Sequence, residues 1–214
     1  MQTDAEIASL AAAASAAQEF AFVSWDGSDG RRACPLATFG SRGPQTLSVR
    51  LACAEPPRAD QPELKNVAEL RGAVALVVRG GCSFAHKARL LQKAGAVAML
   101  LANNTREEPL AAFTMGESPE ELEQNEKSGA EPITMPCIMM CLRDVRELFQ
   151  KFPPSVKTGV LTFEVLPTDE AAVVAEECLR VQRERHEATE AGKRSIAIHR
   201  NDWPRWKREG GEVC

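Results

Sequence analysis

Residues 73–102, AVALVVRGGCSFAHKARLLQKAGAVAMLLA, decide the fold of this 214-residue chain. Residues 73–78 are a short apolar run rich in β-branched side chains, too short for a helix and long enough for a buried strand. Residues 96–102 are a second such run. Between them Phe84, Ala88, Leu91 and Ala94 recur at helical spacing, with Lys87, Arg89, Gln92 and Lys93 on the other side. Ser83 supplies an N-cap, and Gly95 can end the helix in the left-handed conformation. Strand, helix and strand in so short a span predict a βαβ unit with a right-handed crossover.

The turn Arg79-Gly80-Gly81-Cys82-Ser83-Phe84 is the candidate site. Two glycines let the backbone turn sharply and approach another backbone closely. The helix that follows presents free amides and a partial positive charge at its start, and Arg79 adds a full charge beside it. Neither Gly-x-x-x-x-Gly-Lys-Ser/Thr nor Gly-x-Gly-x-x-Gly occurs here, so the common phosphate-binding loops are excluded. Amides of Gly80, Gly81, Cys82 and Ser83, with Arg79, can instead hold a peptide carbonyl or carboxylate. Lys87, one turn on, is placed to reach the same rim, while Phe84 fills the core beneath.

These residues resemble the protease-associated (PA) domain family. Its signature is an apolar strand, Arg-Gly-x-Cys-x-Phe, a Lys three residues later, and a Gly-Ala pair before a second apolar strand. Val74–Val78, Arg79 to Phe84, Lys87, Gly95-Ala96 and the run ending at Asn103-Asn104 match it. A later Ile-Pro before a strand has its counterpart in Met135-Pro136. The resemblance covers roughly residues 20–166. It implies an α+β domain whose sheet curls into an open barrel, with a βαβ unit and two short helices, to which the sequence adds a helix at each end. It also implies a recognition role, since PA domains accompany proteases, sorting receptors and membrane-bound ubiquitin ligases, and in sorting receptors they hold cargo peptides.

Composition narrows the field. With 44% hydrophobic and 26% charged residues the chain is globular. A net charge of −4 argues against nucleic acid as the main partner, and no apolar run is long enough to span a membrane. Residues 1–19 carry Asp4 and Glu6 and no basic residue, unlike a secretory leader. They read as a helix with Thr3 and Glu6 spaced as a capping box. The compartment therefore stays open: the resemblance implies the secretory or endomembrane lumen, while a native start of this kind implies the cytoplasm. Seven cysteines leave one thiol over. In an oxidising lumen Cys53 and Cys82, which flank the turn, are the expected disulfide; in a reducing cell all stay thiols. Asn103 opens an Asn-Asn-Thr acceptor for N-glycosylation.

Outside the central unit, residues 21–25, 34–39, 46–52, 135–141 and 160–166 read as strands. Residues 54–64 hold three prolines and read as a surface loop. Residues 105–132 carry eight glutamates against Arg106 and Lys127, which predicts a solvated, irregular excursion. Asp144 is expected to cap a short helix that Pro153-Pro154 ends. Residues 167–214 form a third segment, a helix capped at Thr168 with a thin stripe of Val174, Cys178 and Val181, charged and exposed beyond it. Its basic tail carries Trp203 and Trp206, which can dock on the domain or on a partner.

No catalytic constellation is visible. The three histidines, His86, His186 and His199, belong to no His-Glu-x-x-His, and neither Cys-x-x-Cys nor Gly-x-Ser-x-Gly occurs. Cys137 and Cys141 lack a second ligand pair, so neither metal nor cofactor is expected. The reading is a non-catalytic module binding a protein, an extended peptide or a chain terminus through Arg79–Phe84, with Phe84, Gly95 and Pro136 structural. The alternatives are a lid or subunit of a protease or ubiquitin-ligase complex, and a thiol-dependent enzyme using a Cys82 activated at the helix start.

Overall fold

A computed structural model describes residues 18–104, 115–153 and 159–191. The expected N-terminal helix and the Trp203 and Trp206 contacts lie outside the described residues. Strands are β1 (Phe20–Trp25), β2 (Arg32–Pro35), β3 (Gln45–Cys53), β4 (Val74–Val78), β5 (Ala98–Ala102), β6 (Cys137–Met140) and β7 (Val160–Val165). Helices are α1 (Val67–Leu70), α2 (Phe84–Lys93), α3 (Pro119–Ser128), α4 (Leu142–Lys151) and α5 (Thr168–Ala191).

The strands form one mixed sheet in the order β2-β1-β7-β3-β4-β5-β6. β3, β4, β5 and β6 run parallel, and β7 pairs antiparallel with both β3 and β1. A bridge between Leu36, just past β2, and Ile138 of β6 brings the two edges together, so the sheet is nearly closed into a barrel. The expected βαβ unit is present: β4 aligns with β5 from Val74↔Ala98 to Val78↔Ala102, with α2 between.

Side-chain alternation divides the core. Val74, Leu76, Ala98, Leu100, Ile138, Met140, Leu161 and Phe163 face a common interior, which Val145 and Leu148 of α4 close. Ala75, Val77, Met99 and Leu101 point the other way, onto Ala85, Ala88 and Leu91 of α2. β4 and β5 are thus buried on both faces, which is why they read as unbroken apolar runs. Phe20 and Phe22 of β1 lie outside the barrel and are covered by α5 through Ala175, Val174 and Cys178.

Three expectations need correction. The acidic stretch is not wholly irregular, because α3 forms within it. Ser118 and Glu121 make a capping box, Pro119 opens the helix, and Gly129 ends it at φ +64°. Asp144 does not cap α4; Cys141 does, its Sγ accepting from the Asp144 amide. The far half of α5 is not simply solvated, since Gln182 is fully buried and donates to Asp144 Oδ2 at 2.7 Å.

Phe163 lies at the centre of the barrel with no exposed surface. Phe163→Ala should cost about 3–5 kcal/mol, read as a lowered urea midpoint.

Candidate functional site

The signature turn begins where β4 runs out of partners. Val78 donates to the Pro57 carbonyl at 2.8 Å, and Arg79 donates to the Ala102 carbonyl at 3.0 Å. Gly80 and Gly81 then take φ of +103° and +84°. At Gly81 a Cβ would collide with the Asp60 carboxylate, so the position admits no side chain. Ser83 caps α2, its hydroxyl accepting from the His86 amide at 3.2 Å. Among the described residues, the amides of Gly80, Gly81, Cys82 and Ser83 meet no protein acceptor. Gly81 is exposed and its neighbours are half-buried.

Arg79 is braced from the β5 end: its Nη1 donates to Asn103 Oδ1 at 3.2 Å, and Asn104 Nδ2 donates to the Arg79 carbonyl at 3.3 Å. Asn103 is 9% exposed, its side chain turned into this brace, which leaves a glycan little room on the folded domain. Phe84 packs half-buried against the α2 side of the sheet. Gly95 follows the helix at φ +85° and lies against Arg71, and the buried Pro136 accepts from the Met99 amide at 3.0 Å.

Lys87 does not reach the rim. It is fully buried beneath the turn, where its Nζ donates to the Gly80 carbonyl at 2.6 Å, to the Arg58 carbonyl, and to Cys82 Sγ at 3.5 Å. The ammonium thus ties the 56–60 loop to the turn. The helical stripe did signal an outward position, but the 56–60 loop folds over that side of α2. Burial pushes the Lys87 ammonium below its ordinary value of 10.5, with Cys82 and Asp60 opposing.

The Cys53–Cys82 pairing is also corrected: both are free thiols. Cys53 packs toward the barrel interior, whereas Cys82 Sγ meets the Ala59 carbonyl on the opposite face. Burial pushes the Cys82 thiol up, and the nearby Lys87 only partly offsets it, so Cys82 is not the activated thiolate expected of a helix start. His86 is exposed on α2. On the far rim, the Ser83 hydroxyl and the Ser118 amide hold the Glu121 carboxyl of α3 below its ordinary value. Asp60 and Glu121 therefore put negative charge on either side of the amides.

A second polar cluster lies where β2, α4 and α5 meet, and the sequence reading had no signal for it. Arg32, 1% exposed, lies 2.8 Å from Asp29, 3.2 Å from Asp144 and 2.7 Å from Glu147, with its guanidinium over the Trp25 ring. From α5, Gln182 accepts from the Ala33 amide at 3.0 Å, Arg185 pairs with Asp29 at 3.0 Å, and His186 lies 3.4 Å from Asp144. Burial pushes the Asp144 carboxyl up. The His186 contact, the Arg32 charge and the Cys141 thiol outweigh it and hold the carboxyl below its ordinary 3.8.

The PA domain profile matches residues 40–148, just over half of the chain and the whole of the signature turn. This chain belongs to the PA domain family. A PRADC1-like protein of Drosophila melanogaster is 41% identical over 68 residues, covering 31% of this chain and 34% of that protein. Among solved structures, an aminopeptidase from Aneurinibacillus sp. strain AM-1 superposes with a TM-score of 0.46 and 16% identity, over 69% of this chain and 30% of that one. A zinc aminopeptidase from Bacillus subtilis, BSAP, gives 0.43 and 17%, over 76% and 37%. The PA chain thus spans about a third of the length of these relatives. No helix among its described residues is long and apolar enough to cross a membrane.

Lys87→Met removes the donor for the Gly80 and Arg58 carbonyls and should cost about 2 kcal/mol or more in urea unfolding. Since the folded ammonium titrates below the unfolded 10.5, the unfolded chain binds more protons as pH rises through that window. Wild type should therefore gain stability relative to Lys87→Met up to about pH 10, and a flat difference would refute the assignment.

Proposed function

We propose that this PA domain is a non-catalytic recognition module that binds an extended peptide or chain terminus at the Arg79–Ser83 turn. The observation that carries the reading is the run of amides from Gly80 to Ser83 without acceptors among the described residues. Such donors at a helix start favour a carbonyl or carboxylate, and Arg79 adds charge beside them. The buried Lys87 keeps the turn rigid, so little ordering entropy is lost on binding. The neighbouring carboxylates of Asp60 and Glu121 favour a ligand that brings basic groups near its acceptor. Affinity for so small a site would be on the order of micromolar.

The absence of catalysis is part of the proposal. Burial pushes the Cys82 thiol up, and its Sγ meets the Ala59 carbonyl and Lys87, with no imidazole in contact among the described residues. At the second cluster the Cys141 thiol donates to Asp144, and His186 contacts the other carboxylate oxygen. A nucleophilic relay needs the imidazole between thiol and carboxylate, and here the carboxylate is in the middle.

The test is binding of the domain to a fluorescent peptide library with free and amidated C-termini. Arg79→Ala should weaken the selected peptides about tenfold while the urea midpoint changes little. Equal binding by Arg79→Ala, or turnover abolished by Cys82→Ser, would overturn the reading.

A further inference from the structure

The cluster between α4 and α5 contains more ligand chemistry than a structural ion pair requires. Cys141 Sγ, the Asp144 carboxylate and His186 Nε2 lie within 4.8 Å of one another. Cys141 and Asp144 come from the start of α4, and His186 from α5. Sγ is 3.2 Å from Oδ2, and Nε2 is 3.4 Å from Oδ1. Four donors set tetrahedrally at zinc bond lengths of about 2.0–2.3 Å stand roughly 3.3–3.8 Å apart, so three donors within 4.8 Å would have to close by up to about 1 Å on an ion.

Two further features point to a cation. The first is the burial of the Asp144 carboxylate, which is 1% exposed. Its Oδ2 accepts from Gln182 at 2.7 Å and from the Cys141 thiol at 3.2 Å, and Oδ1 faces His186 at 3.4 Å. Arg32 Nε lies 3.2 Å from Oδ1 yet makes no hydrogen bond there. A carboxylate this deeply buried requires cationic partners. The second feature is charge. Arg32 and Arg185 face Asp29, Asp144 and Glu147, two cations against three carboxylates. A divalent ion with a Cys141 thiolate would cancel the surplus.

We propose that Cys141, Asp144 and His186 form a zinc site. Thiolate and imidazole donors disfavour magnesium and calcium, which take oxygen ligands. Gln182 and Arg32 orient the Asp144 carboxylate from outside, and His186, 12% exposed, marks the side on which water completes the coordination. Because the ligands come from two helices, zinc binds only when α5 is docked, and it holds α5 against the barrel.

The experiment uses the full chain, reduced and stripped with chelator, titrated separately with zinc and with cobalt. One equivalent should bind, raising Tm, and cobalt should give a thiolate-to-metal charge-transfer band. Cys53→Ser should keep that band. Cys141→Ser should lose it, and His186→Gln, at a partly exposed position, should keep the circular dichroism of the fold while weakening zinc by more than the 10–100-fold typical of an outer-shell loss. No band in folded protein, or an undiminished band and affinity in both variants, would overturn the proposal.

Discussion

Burial of β4 and β5 on both faces is the constraint on which the rest of the domain depends. Their inward side chains meet the other five strands, and their outward ones meet α2. A parallel pair buried in this way cannot be joined by a hairpin, so the chain must leave the end of β4, cross over as a helix and return. The turn at Arg79 exists because of that crossover. It sits at the carboxyl end of parallel strands, where main-chain donors lose their ladder partners and a helix begins. The geometry that makes the barrel therefore also makes a set of amides without acceptors among the described residues.

Lys87 converts that corner from a flexible loop into a fixed one. A long side chain with no exposed surface, donating to carbonyls on both sides, behaves as a bolt through the turn and the 56–60 loop. An ammonium in this position is retained only because its protons are hydrogen-bonded. The positive charge at the surface of the turn then comes from Arg79, with the carboxylates of Asp60 and Glu121 to either side. Gly81 completes the arrangement, since the close approach of Asp60 leaves no space for a side chain.

Where β2, α4 and α5 meet, α5 docks by polar as well as apolar contacts. Gln182 serves at once as acceptor for Ala33 and donor for Asp144, so it seals a strand edge that the nearly closed sheet leaves unpaired. The thin stripe of Val174 and Cys178 packs with Phe20 and Phe22 of β1 and Ala33 of β2. Docking of the helix therefore hinges on a buried charge cluster whose members come from residues 29 to 186.

The local pattern of side chains determined much of this by itself. Apolar runs buried on both faces, the Ser83 cap and the Gly95 stop specified the βαβ unit, and the Arg79–Phe84 motif specified the family, because periodicity and capping act within a few residues. The capping box at Ser118 and Glu121 was present in the same way, hidden by its glutamates. What only the tertiary structure decided were relations between distant segments. Lys87 turned inward because a loop 29 residues earlier supplied a carbonyl. Cys53 and Cys82 were separated by the thickness of a sheet. Cys141, Asp144 and His186 were assembled by two helices that touch only once the barrel is built. Hydrogen bonds and charges satisfied across such distances depend on how the elements pack, and no spacing along the chain encodes that.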